Sequence, residues 1–263
     1  MIVITEIIVE MLNKGDCHLY GLSFFSLNVK QQYFYKRAMS IIAESELLIP
    51  ACELCADDIN KVLRAVLNDH PEFFWFKGKW TLDEFNGKRY AIPYYIFDKI
   101  DIYEIQKIID ESVKKSCGAI TGSITCEKIR KLYDWILDNV DYGTYDNSDG
   151  QTIYDALVCK KAVCKGLSKS MQYLSERVNC FSALREGSLD GISKHIWNIV
   201  RIDGKYYNVD VSMGYSEFSF LFDLCRQIDR YRCFLVSDKT LSKTHQINIL
   251  QYPIVCNDEY IGE

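Results

Sequence analysis

Apolar side chains recur at helical spacing in several stretches of the chain. Between Asp57 and His70, the residues Ile59, Val62, Leu63, Val66 and Leu67 fall on one face of a helix. Asp57 or Asp58 is placed to cap its start, and Pro71 lies beyond its end. Residues 28–48 read as another helix, with Tyr33, Ala38, Ile41 and Ile42 as its apolar positions. A third spans about 101–115, with Ile102, Ile105, Ile108, Ile109 and Val113 on one side. The aromatic runs Glu72–Phe76 and Arg89–Phe97 are read as strands or ring-rich loops. The first hundred residues therefore predict a mixed α/β module.

Beyond Thr125 the pattern sharpens. Ile129, Leu132, Tyr133, Ile136, Leu137 and Val140 define an amphipathic helix, with Thr125 as its expected cap and Glu127 in the first turn. The polar loop from Asp141 to Gln151 leads to a further helix whose buried stripe is Leu167, Met171, Leu174 and Val178. That stripe puts Cys164 at or just before the helix N-terminus. His195 to Ile202 then alternates as a strand, Asp203-Gly204 is a two-residue hairpin signal, and Lys205 to Val211 returns. Such a turn pairs Ile202 with Lys205. Stepping back along the ladder sets Trp197 opposite Asp210 and His195 opposite Ser212. His195 and Asp210 become diagonal neighbours on one face, about 7 Å or less between Cβ atoms, within reach of a hydrogen bond.

Composition narrows the setting. Apolar residues make up 48% and charged residues 25%, and only 4 Pro and 14 Gly are present, which argues for a folded core without long linkers. The net charge of −5 offers no basic footprint, so nucleic acid and anionic membrane are excluded as expected partners. The opening Met1–Glu10 lacks the basic start of a signal peptide, and Glu6 and Glu10 interrupt its apolar run. No segment reaches the roughly 20 apolar residues of a membrane helix. Eleven cysteines, an odd and irregular set, point to a reducing compartment, and the expected location is cytoplasmic. Cys52-x-x-Cys55 has no second pair, and His18 and His70 lack ligand spacing, so no metal and no cofactor is expected. Nucleotide-binding glycine motifs do not occur.

A cysteine at a helix N-terminus meets unpaired N–H groups and the positive end of the helix dipole, both of which favour thiolate over thiol. Gly166 is expected to leave room for a substrate backbone. Cys164 as nucleophile, His195 as base and Asp210 as the carboxylate that orients the imidazole would form a triad for acyl chemistry.

The blocks Ala162-Val-Cys-Lys-Gly-Leu-Ser-Lys-Ser170, His195-Ile-Trp-Asn and Asp203-Gly-Lys-Tyr-Tyr-Asn-Val-Asp210 resemble those of the transglutaminase-like superfamily, in the same order. Thirty-one positions separate Cys164 from His195 and fifteen separate His195 from Asp210, which fits that pattern. The helix from Ile129 to Val140, the block Gly150–Leu157 and the stretch Phe234–His245 add to the resemblance, which covers about 125–245. Lys165, Ile196, Tyr206 and the Val-Ser-Met that follows Asp210 depart from commoner family residues. They leave the triad intact, and Lys165 and Met213 are expected to alter the rim of the cleft.

The resemblance implies a papain-like α+β core over 116–263, with the nucleophile helix packed on an antiparallel sheet, behind a mixed α/β module over 1–115. It also implies acyl transfer through a thioester, delivered to water or to an amine. The Cys164 N–H is the expected oxyanion donor, with Gln151 or Tyr154 adding a side-chain donor and Trp197 walling the site. Tyr142 and Tyr145 are candidates to line the cleft; His245 could approach the site from the C-terminal segment, but a surface or capping role is favoured. The favoured reading is hydrolysis of a peptide or amide bond in a protein or peptide substrate. Protein-glutamine γ-glutamyl transfer and a non-catalytic binding module are the alternatives. No EF-hand or acidic calcium loop supports calcium-dependent crosslinking. An arylamine acetyltransferase is disfavoured because its Arg-Gly-Gly-x-Cys motif is absent.

Overall fold

Local capping sets where the N-terminal helices begin in the computed structural model, which describes residues 21–51, 53–118, 120, 124–215, 229–248 and 254–260. After the short α1 (Leu22–Phe25), α2 (Val29–Ala43) opens on a capping box between Asn28 and Gln31. Its buried face is Gln31, Phe34, Tyr35, Ala38 and Ile42, while Tyr33 points outward, 58% exposed. The sequence reading placed Tyr33 in the core. Gln31 takes its place because its amide donates to Asp58 at 2.7 Å. The helix also stops at Ala43, short of the expected end.

The strand β1 (Ile49–Pro50) leads to α3 (Ala56–Asp69), which buries all five residues of its expected stripe. Its cap is Cys55, whose sulfur accepts from the Asp58 N–H, and Asp57 and Asp58 occupy the first turn instead. Cys52 lies outside the described residues, as do His18 and the opening decapeptide. β2 (Phe76–Phe85) and β3 (Lys88–Tyr95) form a hairpin whose Asn86-Gly87 turn has both φ values positive. Of the run 72–76, only Phe76 joins β2 and the rest is turn, so the ring-rich loop is the alternative that forms. The sheet order is β1-β3-β2, antiparallel throughout. The contacts divide the chain into two compact units, Met1–Glu104 and Ile105–Glu263, and α4 (Lys99–Cys117) carries the division. Along α4, Ile109, Ser112 and Ser116 are buried and Ile108 is exposed, so two serines stand where an all-aliphatic stripe was expected. The Ser112 hydroxyl donates to the Leu157 carbonyl, which meets its need for a partner.

The second unit is built around one helix. α5 (Thr125–Asn139) starts at Thr125 itself, with Ile124 at the cap position and no side-chain cap. The parallel pair β4 (Asp141–Tyr142) and β5 (Lys161–Ala162) brackets the short α6 (Ile153–Leu157). α7 (Cys164–Arg177) then runs with Gly166 to Ser175 all buried. It packs against α5 and α6 on one side and against β6 (Ser182–Leu189) and β7 (Ser193–Ile202) on the other. β8 (Lys205–Val209), β9 (Phe234–Val236), α8 (Asp238–Leu241) and β10 (His245–Ile247) complete it. The antiparallel sheet has the order β10-β6-β7-β8-β9. The architecture is α+β, as expected.

β10 sits at the sheet edge beside Gly187 of β6, which pairs with Ile247. A Cβ at Gly187 would run into the Gln246 carbonyl and the Trp197 ring. Gly187→Ala is therefore expected to destabilise the protein by about 1–3 kcal/mol through overpacking. An unchanged midpoint in urea unfolding would show that this edge yields freely.

Candidate active site

The β7–β8 hairpin forms with the register read from the sequence: Ile202 pairs with Lys205, and Asp203 and Gly204 both adopt positive φ. The ladder ends one step early, at Asn198 and Val209. Asp210 leaves the strand, its N–H donating to the Cys233 carbonyl at 2.9 Å, and a 3₁₀ turn over Ser212–Gly214 follows. The expected pairs Trp197/Asp210 and His195/Ser212 are thus not ladder pairs. The side chains nevertheless meet, with His195 Nε2 donating to Asp210 Oδ2 at 2.6 Å.

Asp210 is completely buried and His195 is 3% exposed. Oδ1 of Asp210 accepts from the Ser212 N–H at 2.9 Å and from the Ser212 hydroxyl at 2.7 Å. Oδ2 accepts from His195 and, at 3.0 Å, from Nε2 of His245. Burial alone would raise the carboxyl pKa, but the His195 charge and the hydrogen bonds from both histidines outweigh it and hold Asp210 far below the usual carboxylate range. For His195, burial opposes the charge, and the Asp210 carboxylate more than offsets it, raising the imidazole to about 10.

Cys164 is the first residue of α7, half-buried, with Val163 at the cap position. Its thiol lies close enough to His195 to help raise the imidazole pKa. With Nε2 given to Asp210, Nδ1 is the ring nitrogen left for sulfur. The helix is registered on β7 by Ser168, whose hydroxyl donates to the Ile196 carbonyl at 3.1 Å, and by Asn198, whose amide donates to the Ser168 carbonyl at 2.9 Å. These bonds fix the nucleophile helix against the strand that carries His195.

The other candidates are placed as follows. Trp197 is fully buried and cannot wall a cleft. It lies under His195, with ring centroids 6.1 Å apart, and its indole N–H donates to Asn208 at 2.9 Å. Met213 joins the same core cluster with Cys233, Val236 and Leu241, so it is not a rim residue. The Tyr154 hydroxyl engages Cys159, and Tyr145 donates to Asp155 at 3.0 Å, while Tyr142 lies against Tyr215. Gln151 sits in the turn before α6, its N–H directed at the Asp149 carboxylate. Space at Gly166 is taken by the Gly150 carbonyl and Ala162, not left to a ligand. His245 is 2% exposed and belongs to the site, not the surface.

Among the described residues, His195, Asp210 and His245 are a possible metal-ligand trio, with donor atoms within 4.8 Å of one another. Both Nε2 atoms lie within hydrogen-bond distance of Asp210 Oδ2, at 2.6 and 3.0 Å. No described helix is long and apolar enough to cross a membrane.

A helix-borne cysteine beside a strand-borne histidine, itself held by a carboxylate, defines a class of α+β thiol sites. Residues 112–211 match the core of the transglutaminase-like superfamily. The superfamily is one of cysteine-dependent hydrolases and acyltransferases. Among solved structures, a TGase aligns at 14% identity and a TM-score of 0.39, over 57% of this chain and 46% of that one. A candidate cysteine protease from Cytophaga hutchinsonii aligns at 13% identity and a TM-score of 0.36, over 64% and 65% respectively. The chain thus spans less than two thirds of either. No curated protein matches it.

The shifts carry a pH signature. A histidine raised from about 6.5 contributes stability that is full below that value and is lost as pH rises through about 10. A depressed carboxyl contributes above about pH 4 and is lost on further acidification. In a Cys164→Ala background, the stability difference between Asp210 and Asp210→Asn is expected to be largest between about pH 4 and 6.5 and to shrink in alkali. Denaturant titrations at several pH values check this, and a difference that widens from neutral to alkaline pH would contradict the assigned ion pair.

Proposed function

We propose that the protein is a cysteine hydrolase that cleaves a peptide or amide bond in a protein or peptide substrate. The observation that carries this reading is the placement of Cys164, first residue of its helix, beside His195, which Asp210 holds at 2.6 Å. The thiol proton passes to His195 as sulfur attacks the carbonyl carbon. The Cys164 N–H, at the helix start where no intrahelical acceptor exists, points its dipole at the developing oxyanion. His195 then returns the proton to the leaving amine, giving a thioester. Water attacks that thioester with His195 again as base, and the acid product leaves. Asp210 keeps the imidazole in one tautomer and stabilises its cation.

An amine in place of water would give transamidation, the reaction of a protein-glutamine γ-glutamyltransferase, and the two differ only in the acceptor. A binding module that merely keeps the fold is the third reading, and an assembled Cys–His–Asp chain argues against it. The eight described cysteines are all free thiols.

Iodoacetamide followed by peptide mapping is expected to label Cys164 faster than the other ten cysteines, with the preference lost in His195→Ala. Hydrolysis of a fluorogenic peptide amide library, with and without a primary amine, is expected to fall about 1000-fold or more in Cys164→Ala while folding is kept. Turnover retained in that variant would refute the assignment. Amine incorporation in preference to hydrolysis would favour transamidation.

A further inference from the structure

Resting on the triad reading, we propose that His245 is a positioning residue that acts through Asp210: it donates Nε2–H to the carboxylate oxygen that holds His195 and so divides that oxygen between two imidazoles. The bond is 3.0 Å and the side chain is wholly enclosed. An ionised carboxylate can only accept, so Nε2 of His245 must carry the proton. Nδ1 lies 2.8 Å from the Thr244 hydroxyl, which serves as donor to a neutral ring or as acceptor from a charged one. In either state the ring is held with Nε2 toward Asp210.

Its backbone is fixed too. His245 opens β10, paired with Leu189 of β6, and Thr244 follows the α8 turn whose Thr240 N–H is capped by Ser237. The Trp197 ring meets His245 edge to face, with centroids 5.1 Å apart, and also lies under His195. The same indole therefore braces both imidazoles. Other titratable neighbours among the described residues are Cys164, which acts on His195, and Tyr133 and Cys233, both of which feel the Asp210 charge.

Ser212 secures Oδ1 by two bonds, so losing His245 should leave Asp210 in place. What changes is the charge presented to His195. With Oδ2 undivided, the carboxylate stabilises the His195 cation more strongly and makes it a poorer proton donor to a leaving amine. His245 thus keeps the base–acid pair from being locked in its charged form.

The chain has four histidines, so ¹⁵N-detected NMR of the ring nitrogens can follow each one. In wild type, Nε2 of His245 is expected to be the ring nitrogen that carries the proton facing Asp210. In His245→Leu, the His195 titration midpoint is expected to rise by about half a unit or more. His245→Gln, whose amide N–H can replace the Nε2 donor, should restore the wild-type midpoint. A merely structural role would lower stability in both variants and leave the midpoint alone. A folded His245→Leu with an unmoved midpoint overturns the proposal, and so does a wild-type Nε2 without its proton, which needs no variant to fold. Iodoacetamide labelling of wild type and His195→Ala separates the two readings. If Cys164 shows no His195-dependent reactivity, the triad reading fails and this role fails with it. If that reactivity is present and the midpoint does not move, the proposal for His245 fails alone.

Discussion

A carboxylate with no access to water must have its charge compensated within the protein, and in this unit the burden falls on Asp210. An unpaired buried charge costs several kcal/mol, and a buried pair broken on one side destabilises by about 3–5 kcal/mol. Four donors from three residues meet the two oxygens, Ser212 on one and the two histidines on the other. Those donors come from β7, from the turn after β8 and from β10. The carboxylate can stay ionised while buried only if the sheet is assembled around it, which makes the candidate active site and the folded state of this unit mutually dependent.

Beneath that charge lies a second polar layer. Asn208 accepts from the Trp197 indole and from Arg185, and Arg185 in turn grips Asp238 at 2.5 Å and the Ile254 carbonyl at 3.0 Å. The indole that braces both imidazoles is therefore oriented by a network that reaches the C-terminal segment. On the opposite face, Ser168 and Asn198 lock the nucleophile helix to β7. Sulfur and imidazole are set by the sheet and by the helix it carries, and rigid elements hold reacting groups more accurately than loops do.

The departures from expectation share one cause. Helical spacing identified the α3 stripe correctly, yet counted Tyr33 among the apolar positions of α2, where Gln31 is buried instead. A polar side chain can be buried when a partner elsewhere accepts its hydrogen bond, and Asp58 is 27 positions away. Met213 and Trp197 were expected at a rim because they flank catalytic positions in the chain. Both are packed into one cluster with Cys233, Val236 and Leu241, because the chain after Asp210 turns into the core instead of extending the strand.

The sequence by itself determined the hairpin, and with it the meeting of His195 and Asp210. A two-residue turn and a period of two leave little freedom in register, so the geometry is local. It also placed Cys164 at a helix start, since amphipathic spacing and a preceding polar loop are read over a dozen residues. Only the tertiary structure decided that α7 lies on β7 with its first turn at the imidazole, and that β10 returns to the sheet edge to bring His245 onto the same carboxylate. Those contacts join residues 31 and 35 positions apart, through packing and through a glycine-permitted approach at Gly187. No periodicity along the chain encodes which distant strand will claim the second lone pair of a buried oxygen. That choice is made by the shape of the folded core.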